Sequence, residues 1–154
     1  MAAYKVLLPY NFTAYEKKSL AFVIDTFSHR EDVQITLFNT YTPLPNIDME
    51  GSPELAKMKK GLTFLSQELE QKEEGLKSAR AFLIENGFSE DQVDFVFQKK
   101  EKSLADDIID MVLKEHYKIL VLSRQPGKVA RLFTRSVHDK ALAALESVTV
   151  CIAT

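Results

Sequence analysis

The sequence predicts an α/β protein: a single doubly wound sheet of five parallel strands, in the order 3-2-1-4-5, with helices on both faces. Three observations predict it. Apolar runs such as Val6-Leu7-Leu8 and Ile119-Leu120-Val121-Leu122 do not alternate with polar residues, the pattern of strands covered on both sides. Segments of helical period separate successive strands, so each connection is a crossover of the right-handed βαβ kind. A length of 154 residues, 45% of them hydrophobic, suffices for a core on both faces of one sheet, and residues 1–154 read as one domain without an internal repeat.

The first strand is Val6-Leu7-Leu8, ended by Pro9, which has no N–H to give to a ladder. A helix follows over Tyr15–Phe27, with Leu20, Val23, Ile24 and Phe27 on one stripe and Lys17, Lys18 and Asp25 off it. Thr13 or Asn11 is its natural N-cap, and Glu16 stands where a capping box needs an acid. Val33–Tyr41 is β-branched and aromatic, stopped by Pro43 and Pro45, and forms the second strand. Ser52-Pro53-Glu54 reads as N-cap, first helical position and first-turn acid. From there Leu55, Met58, Leu62, Leu65, Leu69, Leu76, Ala79 and Leu83 carry a helical stripe to about Glu85, where Asn86-Gly87 stops it. Gly61 and Gly75 each weaken this helix by about 1 kcal/mol relative to Ala. The Gln67–Glu74 run is nearly all polar and reads as a solvated face, so the sequence leaves open either a break or an exposed, projecting middle.

Val93–Phe97 is the third strand and Lys99–Lys102 a solvent-facing turn. Ser103 caps a helix whose stripe is Leu104, Ile108, Ile109, Val112 and Leu113, ending near His116. Tyr117–Leu122 is the fourth strand, a last helix starts at Arg131 or Thr134 and ends at Leu145, and Val148–Ile152 is the fifth strand.

Composition narrows the function classes. A formal net charge of -2 offers no general attraction to nucleic acid or an anionic membrane. The opening residues lack the apolar core of a signal peptide and no run approaches the roughly 20 residues of a membrane span, so a cytoplasmic location is expected. Cys151, the single cysteine, makes neither a disulfide framework nor a zinc site and is expected to pack in the last strand. His29, His116 and His138 lack ligand spacing and are expected at solvent-facing helix ends, so no metal site is assigned. Ser136, His138 and Asp139 lie too close together on one helical segment to form a triad, and no catalytic residue is assigned. Neither glycine-rich phosphate motif is present.

The segment from Tyr117 to Ser136 draws most attention. An apolar strand delivers the loop Ser123-Arg124-Gln125-Pro126-Gly127-Lys128 to the carboxyl edge of the sheet, where order reverses between strands one and four and ligands bind. Arg124, Lys128, Arg131 and Arg135 recur there at steps of four, three and four, which reads either as solvated surface charge or as positive charge concentrated beside the crevice.

The element order, the opening Lys5-Val6-Leu7-Leu8-Pro9, the stretches Ile119–Ser123 and Arg131–Val137, and the ending Val148–Ile152 resemble the universal stress protein family. The resemblance covers essentially the whole chain and implies a Rossmann-like domain of the HUP type. In the ATP-binding members the loop after the fourth strand reads Gly, two residues, Gly, nine residues, Gly, then Ser or Thr. Laid on without gaps, those positions are Leu122, Gln125, Arg135 and Ser136, so the spacing is kept and all three glycines are gone. That loop wraps ribose and phosphates with backbone amides, and Leu122, Gln125 and Arg135 put bulk where the backbone would approach. Gly127 does not rescue the pattern, because it would put Val137 and His138 in the final places. The family's acidic residue after the first strand is matched by Asn11 and its base-pocket residue on the second strand by Thr40.

The resemblance therefore implies a crevice set of Asn11, Thr40, Ser123, Gln125, Arg135 and Ser136, with Arg124 and Gly127 beside it. No cofactor is firmly implied; ATP or another nucleotide would be held weakly, or a small anion by arginine side chains. The expected role is non-catalytic stress response or signalling. The alternative is weak nucleotide binding, with or without hydrolysis, in the same crevice. In the family the last strand pairs with its mate across a two-fold axis, and the apolar edge of Val148, Val150 and Ile152 favours a homodimer here. An acidic protein partner for the basic loop is a further expectation.

Overall fold

The computed structural model describes residues 4–10, 16–42, 53–123 and 147–153, with the helical backbone alone over 53–60. Strands and helices alternate as β1 (Tyr4–Pro9), α1 (Glu16–Phe27), β2 (Val33–Tyr41), α2 (Pro53–Glu85), β3 (Val93–Lys99), α3 (Leu104–Lys114), β4 (Ile119–Ser123) and β5 (Thr149–Ala153). All described pairings are parallel and the sheet order is β3-β2-β1-β4-β5, as the sequence predicts. The caps expected at Asn11, Thr13 and Ser52, and the helix expected to end at Leu145, lie outside the described residues.

Period-two alternation sorts the strand side chains onto two faces. Val6, Leu8, Val33, Ile35, Leu37 and Val121 meet Leu20, Val23 and Phe27 of α1 and Leu76, Ala79 and Leu83 of α2. Leu7, Phe38, Leu120 and Leu122 meet Leu104, Ala105, Ile108, Ile109 and Val112 of α3 on the other face. The helices thus cover both faces, and Cys151 packs half-buried on the α1 side.

The second helix is unbroken over 33 residues despite its two glycines. Leu76 and Leu83 are fully buried, and burial of each contributes roughly 1.5–3 kcal/mol, which exceeds the glycine penalty. Residues 61–74 are exposed or half-buried, so of the two alternatives the sequence leaves open, the structure takes the exposed middle. Its end is a Schellman motif: Phe88 N–H donates to the Leu83 carbonyl and Gly87 N–H to the Ile84 carbonyl, both at 3.3 Å, with Gly87 at φ 119° and Phe88 and Leu83 buried together.

Some boundaries differ from expectation. A single 3-10 turn at Glu90–Gln92 leads into β3, held because Gln92 Nε2 donates to the carbonyls of Arg30 at 2.7 Å and Val33 at 3.1 Å. Ser103 caps α3 as expected, accepting from Asp106 N–H at 3.1 Å. Tyr117 and Lys118 lie outside β4, and Tyr117 closes the cap that follows α3. His116 takes a left-handed φ of 57°, and Tyr117 N–H returns to the Val112 carbonyl at 3.0 Å. The buried Tyr117 ring then packs under α3 and beneath Lys5 Nζ, 4.5 Å from its centroid. A helix cap has taken the residue that β-propensity assigned to a strand. At the other end β4 extends to Ser123, one residue beyond expectation, and β5 is shifted by one residue to Thr149–Ala153.

Candidate functional site

Pairing of β1 with β2 continues to Pro9 opposite Phe38, and pairing of β4 with β5 continues to Ser123 opposite Ala153. Between β1 and β4 it stops at Leu7 opposite Leu120. The sheet therefore splits at its carboxyl end, between the two strands whose order reverses, and Pro9 has no N–H with which to close the gap. This is the topological switch point where doubly wound proteins hold ligands.

A polar group fills the α1 side of the split. Glu16 and Ser19, in the first described turn of α1, are fully buried, and the Ser19 and Ser123 hydroxyls are hydrogen-bonded to each other. Tyr10 leaves β1 with its N–H on the Phe38 carbonyl at 2.9 Å. Burial, and then the charge of Glu16, push the Tyr10 phenol above its ordinary pKa. The hydroxyls of Tyr10, Ser19 and Ser123 give this end of the sheet groups that both donate and accept hydrogen bonds. Among the described residues no group of three or more His, Cys, Asp or Glu is placed to hold a metal ion.

Thr40 and Ser123 are the members of the expected crevice set that fall within the described residues, and the structure does not bring their side chains together. Ser123 shares the α1 side with Leu8, Leu37 and Val121, whereas Thr40, two residues after Phe38, faces the α3 side. Thr40 N–H donates to Asn39 Oδ1 at 2.7 Å. Asn11, Arg124, Gln125, Gly127, Arg135 and Ser136 lie outside the described residues. Leu122, at the first glycine position of the resembled motif, has no exposed surface and packs in the α3-side core, so its bulk fills the core rather than the crevice.

Sequence reasoning missed Tyr10 and Ser19 and gave Glu16 only a capping role. The signal for Glu16 was available: it stands four residues before Leu20, in line with Leu20, Val23 and Phe27, so the stripe that turns those residues inward turns Glu16 inward too. Beside Tyr10, a cavity of about 610 Å³ opens between α1 and α2, lined by Leu20, Ile24, Ala79 and Phe82 together with Lys17 and Asp25. A cavity of about 630 Å³ lined by Arg30, Glu31, Gln34, Asp91 and Gln92 lies at the amino end of the sheet, away from the switch point.

The order of strands, the split between β1 and β4 and the helices on both faces define an open, doubly wound α/β protein of Rossmann-like architecture. Its particular form is the fold of the universal stress proteins. The chain superposes on universal stress protein UspA from Lactobacillus plantarum with a TM-score of 0.69 at 11% identity, covering 100% of this chain and 99% of that one. A universal stress protein from Archaeoglobus fulgidus, solved in complex with dAMP, matches with a TM-score of 0.62 at 12% identity, over 100% of both chains. A family protein from Arabidopsis thaliana, solved with AMP bound, matches with a TM-score of 0.56 at 15% identity, over 98% of this chain and 92% of that one. No protein-family model and no curated protein sequence matches the chain. No helix among the described residues is long and apolar enough to cross a membrane.

Proposed function

We propose that the chain is a cytoplasmic protein of the universal stress type, one domain over residues 1–154, acting in stress response or signalling without catalysis and holding ATP poorly. The observation that carries this reading is the state of Leu122. It is fully buried beneath α3 and paired in the β4–β5 ladder opposite Ile152. Where the ATP-binding members have their first glycine, a core side chain therefore fixes the backbone in a strand, which disfavours the close wrap of amides that a phosphate needs. The bond between Ser123 and Ser19 points the same way, since it commits a crevice hydroxyl to the fold. Calorimetric titration with magnesium and ATP tests the reading. A dissociation constant of about 1 mM or weaker, near 4 kcal/mol, is expected, and one in the low micromolar range overturns it.

A second reading is favoured by the neighbours solved with dAMP, cAMP and AMP. In it the crevice binds, or slowly hydrolyses, a nucleotide through Asn11, Thr40, Gln125 and Ser136, with Arg124 and Arg135 gripping phosphate by bidentate forks. Mass spectrometry of small molecules released from the denatured protein separates the two readings, because co-purified nucleotide supports only the second. If the arginines hold an anion, phosphate raises the melting temperature of the parent and not of the Arg124→Ala/Arg135→Ala variant. A homodimer through β5 belongs to the same proposal, supported by that strand's place at one edge of the sheet. An acidic protein docking on the basic loop is the remaining partner the charge pattern suits.

A further inference from the structure

The second helix is longer than the sheet it covers. Its 33 residues span about 50 Å, against about 30 Å for the nine residues of β2. Apolar residues recur along it at alternating steps of three and four: Leu55, Met58, Leu62, Leu65, Leu69, then Leu76, Ala79 and Leu83, with Lys72 in the one polar place. That is the spacing of a coiled-coil seam, kept in the sequence over four heptads. Leu76, Ala79 and Leu83 face the sheet core, whereas Leu62 and Leu69 are only half-buried and Leu65 is 40% exposed.

We propose that the first half of α2 is an interface for a second copy of this chain, the two helices packing antiparallel along the seam that Leu62, Leu65 and Leu69 carry. Charge decides the occupant and its direction. Residues 54–60 carry three lysines against one glutamate, and residues 68–74 carry four glutamates against one lysine. Two copies side by side in parallel set like charge on like, whereas antiparallel packing sets the basic end of each helix against the acidic stretch of the other. The helix is also pre-formed: anchoring of Leu76–Leu83 in the core supplies the nucleus, so pairing does not carry the cost of starting a helix. Ser66, Leu69, Glu70 and Glu73 lie beside Tyr41, Phe95 and Phe97 at the β3 edge, the side of the sheet opposite β5. This surface is therefore separate from a β5 interface, and both can act in one assembly.

Sedimentation equilibrium of the full-length chain tests the proposal. Leu62→Glu/Leu65→Glu keeps good helix formers, so circular dichroism should be unchanged while self-association weakens about tenfold or more. Phe64→Ser, at a residue 61% exposed but off the seam, should leave association unaltered. If β5 also pairs, the wild-type chain forms species larger than a dimer and the Leu62→Glu/Leu65→Glu variant stops at the dimer. Reversing Lys57, Lys59 and Lys60 to Glu should weaken association, and adding Glu68→Lys, Glu70→Lys and Glu73→Lys to the same chain should restore it. In a Cys151→Ser background, Leu65→Cys should oxidise to a covalent dimer. A monomeric wild type, an association unchanged by Leu62→Glu/Leu65→Glu, or a Leu65→Cys chain that does not cross-link overturns the interface. Failure of the second set of reversals to restore association overturns the antiparallel packing.

Discussion

The hydroxyls of Ser19 and Ser123 are hydrogen-bonded to each other at the carboxyl end of the sheet, tying the first turn of α1 to the last residue of β4. Both side chains are essentially without exposed surface. Replacing one by Ala leaves the other hydroxyl buried with its partner gone, at a cost of about 1–3 kcal/mol. Ser19→Ala and Ser123→Ala should each lower unfolding free energy by that order in urea titrations. Ser19→Ala/Ser123→Ala together should cost less than the two singles added, because no orphan remains. Strict additivity would mean that the two hydroxyls do not rely on each other.

Two helix ends set up opposite glycine effects. Gly87 sits at φ 119°, and a Cβ there would lie 3.2 Å from Ser28 Cβ, so Gly87→Ala meets both a disfavoured backbone and a close neighbour. A loss of about 1–2 kcal/mol is expected. His116 holds the same capping place after α3 at φ 57° while carrying a side chain. His116→Gly should raise stability by roughly 0.5–1 kcal/mol. Chemical denaturation of the two variants checks both signs, and a destabilised His116→Gly would show that the imidazole makes a contact worth more than the backbone strain.

Alkaline pH should unfold the protein through its tyrosines. Burial raises the Tyr117 phenol above 10.0; a hydrogen bond with Thr36 partly opposes this, and the charges of Glu115 and Asp94 add to it. Burial and then Glu16 raise Tyr10. The folded state thus keeps protons that the unfolded chain has released. The resulting stability is complete below about pH 10 and is lost as pH rises through the folded values, at about 1.4 kcal/mol per unit of difference. Melting temperature should stay level from about pH 7 to 9 and fall above about pH 10. Tyr117→Phe, which has no proton to release, should flatten that limb; an unchanged limb would assign the loss to other groups.

The fold was legible because its strands are uniform apolar runs and its helices keep a stripe, signals that tertiary context reinforces. Tyr117 was misplaced because its β-propensity is real but weaker than the turn that ends α3. The crevice was less legible for a different reason. The sequence ended the fourth strand at Leu122 and put Ser123 in the loop, one residue short of β4, and it did not say that Leu122 faces the α3 core or that Ser123 is taken by Ser19. Facing follows from strand register, which in β4 depends on pairing with β1 and β5, and those contacts are distant in sequence. Thr40 and Ser123 look like companions in a list of polar residues at strand ends, and register parts them onto opposite faces.

The two sheet edges differ in chemistry. β3 carries Asp94 and Lys99, charges of the kind that discourage a neighbour from adding to an edge. β5, Thr-Val-Cys-Ile-Ala, carries no charge and no proline, pairs only with β4 among the described residues, and leaves Ile152 40% exposed. An uncharged, partly apolar edge of this kind is expected to be covered by its own copy across a two-fold axis. Val150 packs against the α3-side cluster, so a charge there would disturb the fold as well as any seam. Ile152→Lys is the cleaner change, since it adds charge at an exposed position. Light scattering at a few tens of micromolar, about 6 kcal/mol on the affinity scale, should show a dimer for the parent and a weakened one for Ile152→Lys, with melting temperatures close together. Ending the chain after Val148 should abolish the β5 contact altogether. A truncated chain that stays folded and dimeric would move the principal interface off β5, and its sensitivity to Leu62→Glu/Leu65→Glu would then show whether α2 holds the pair.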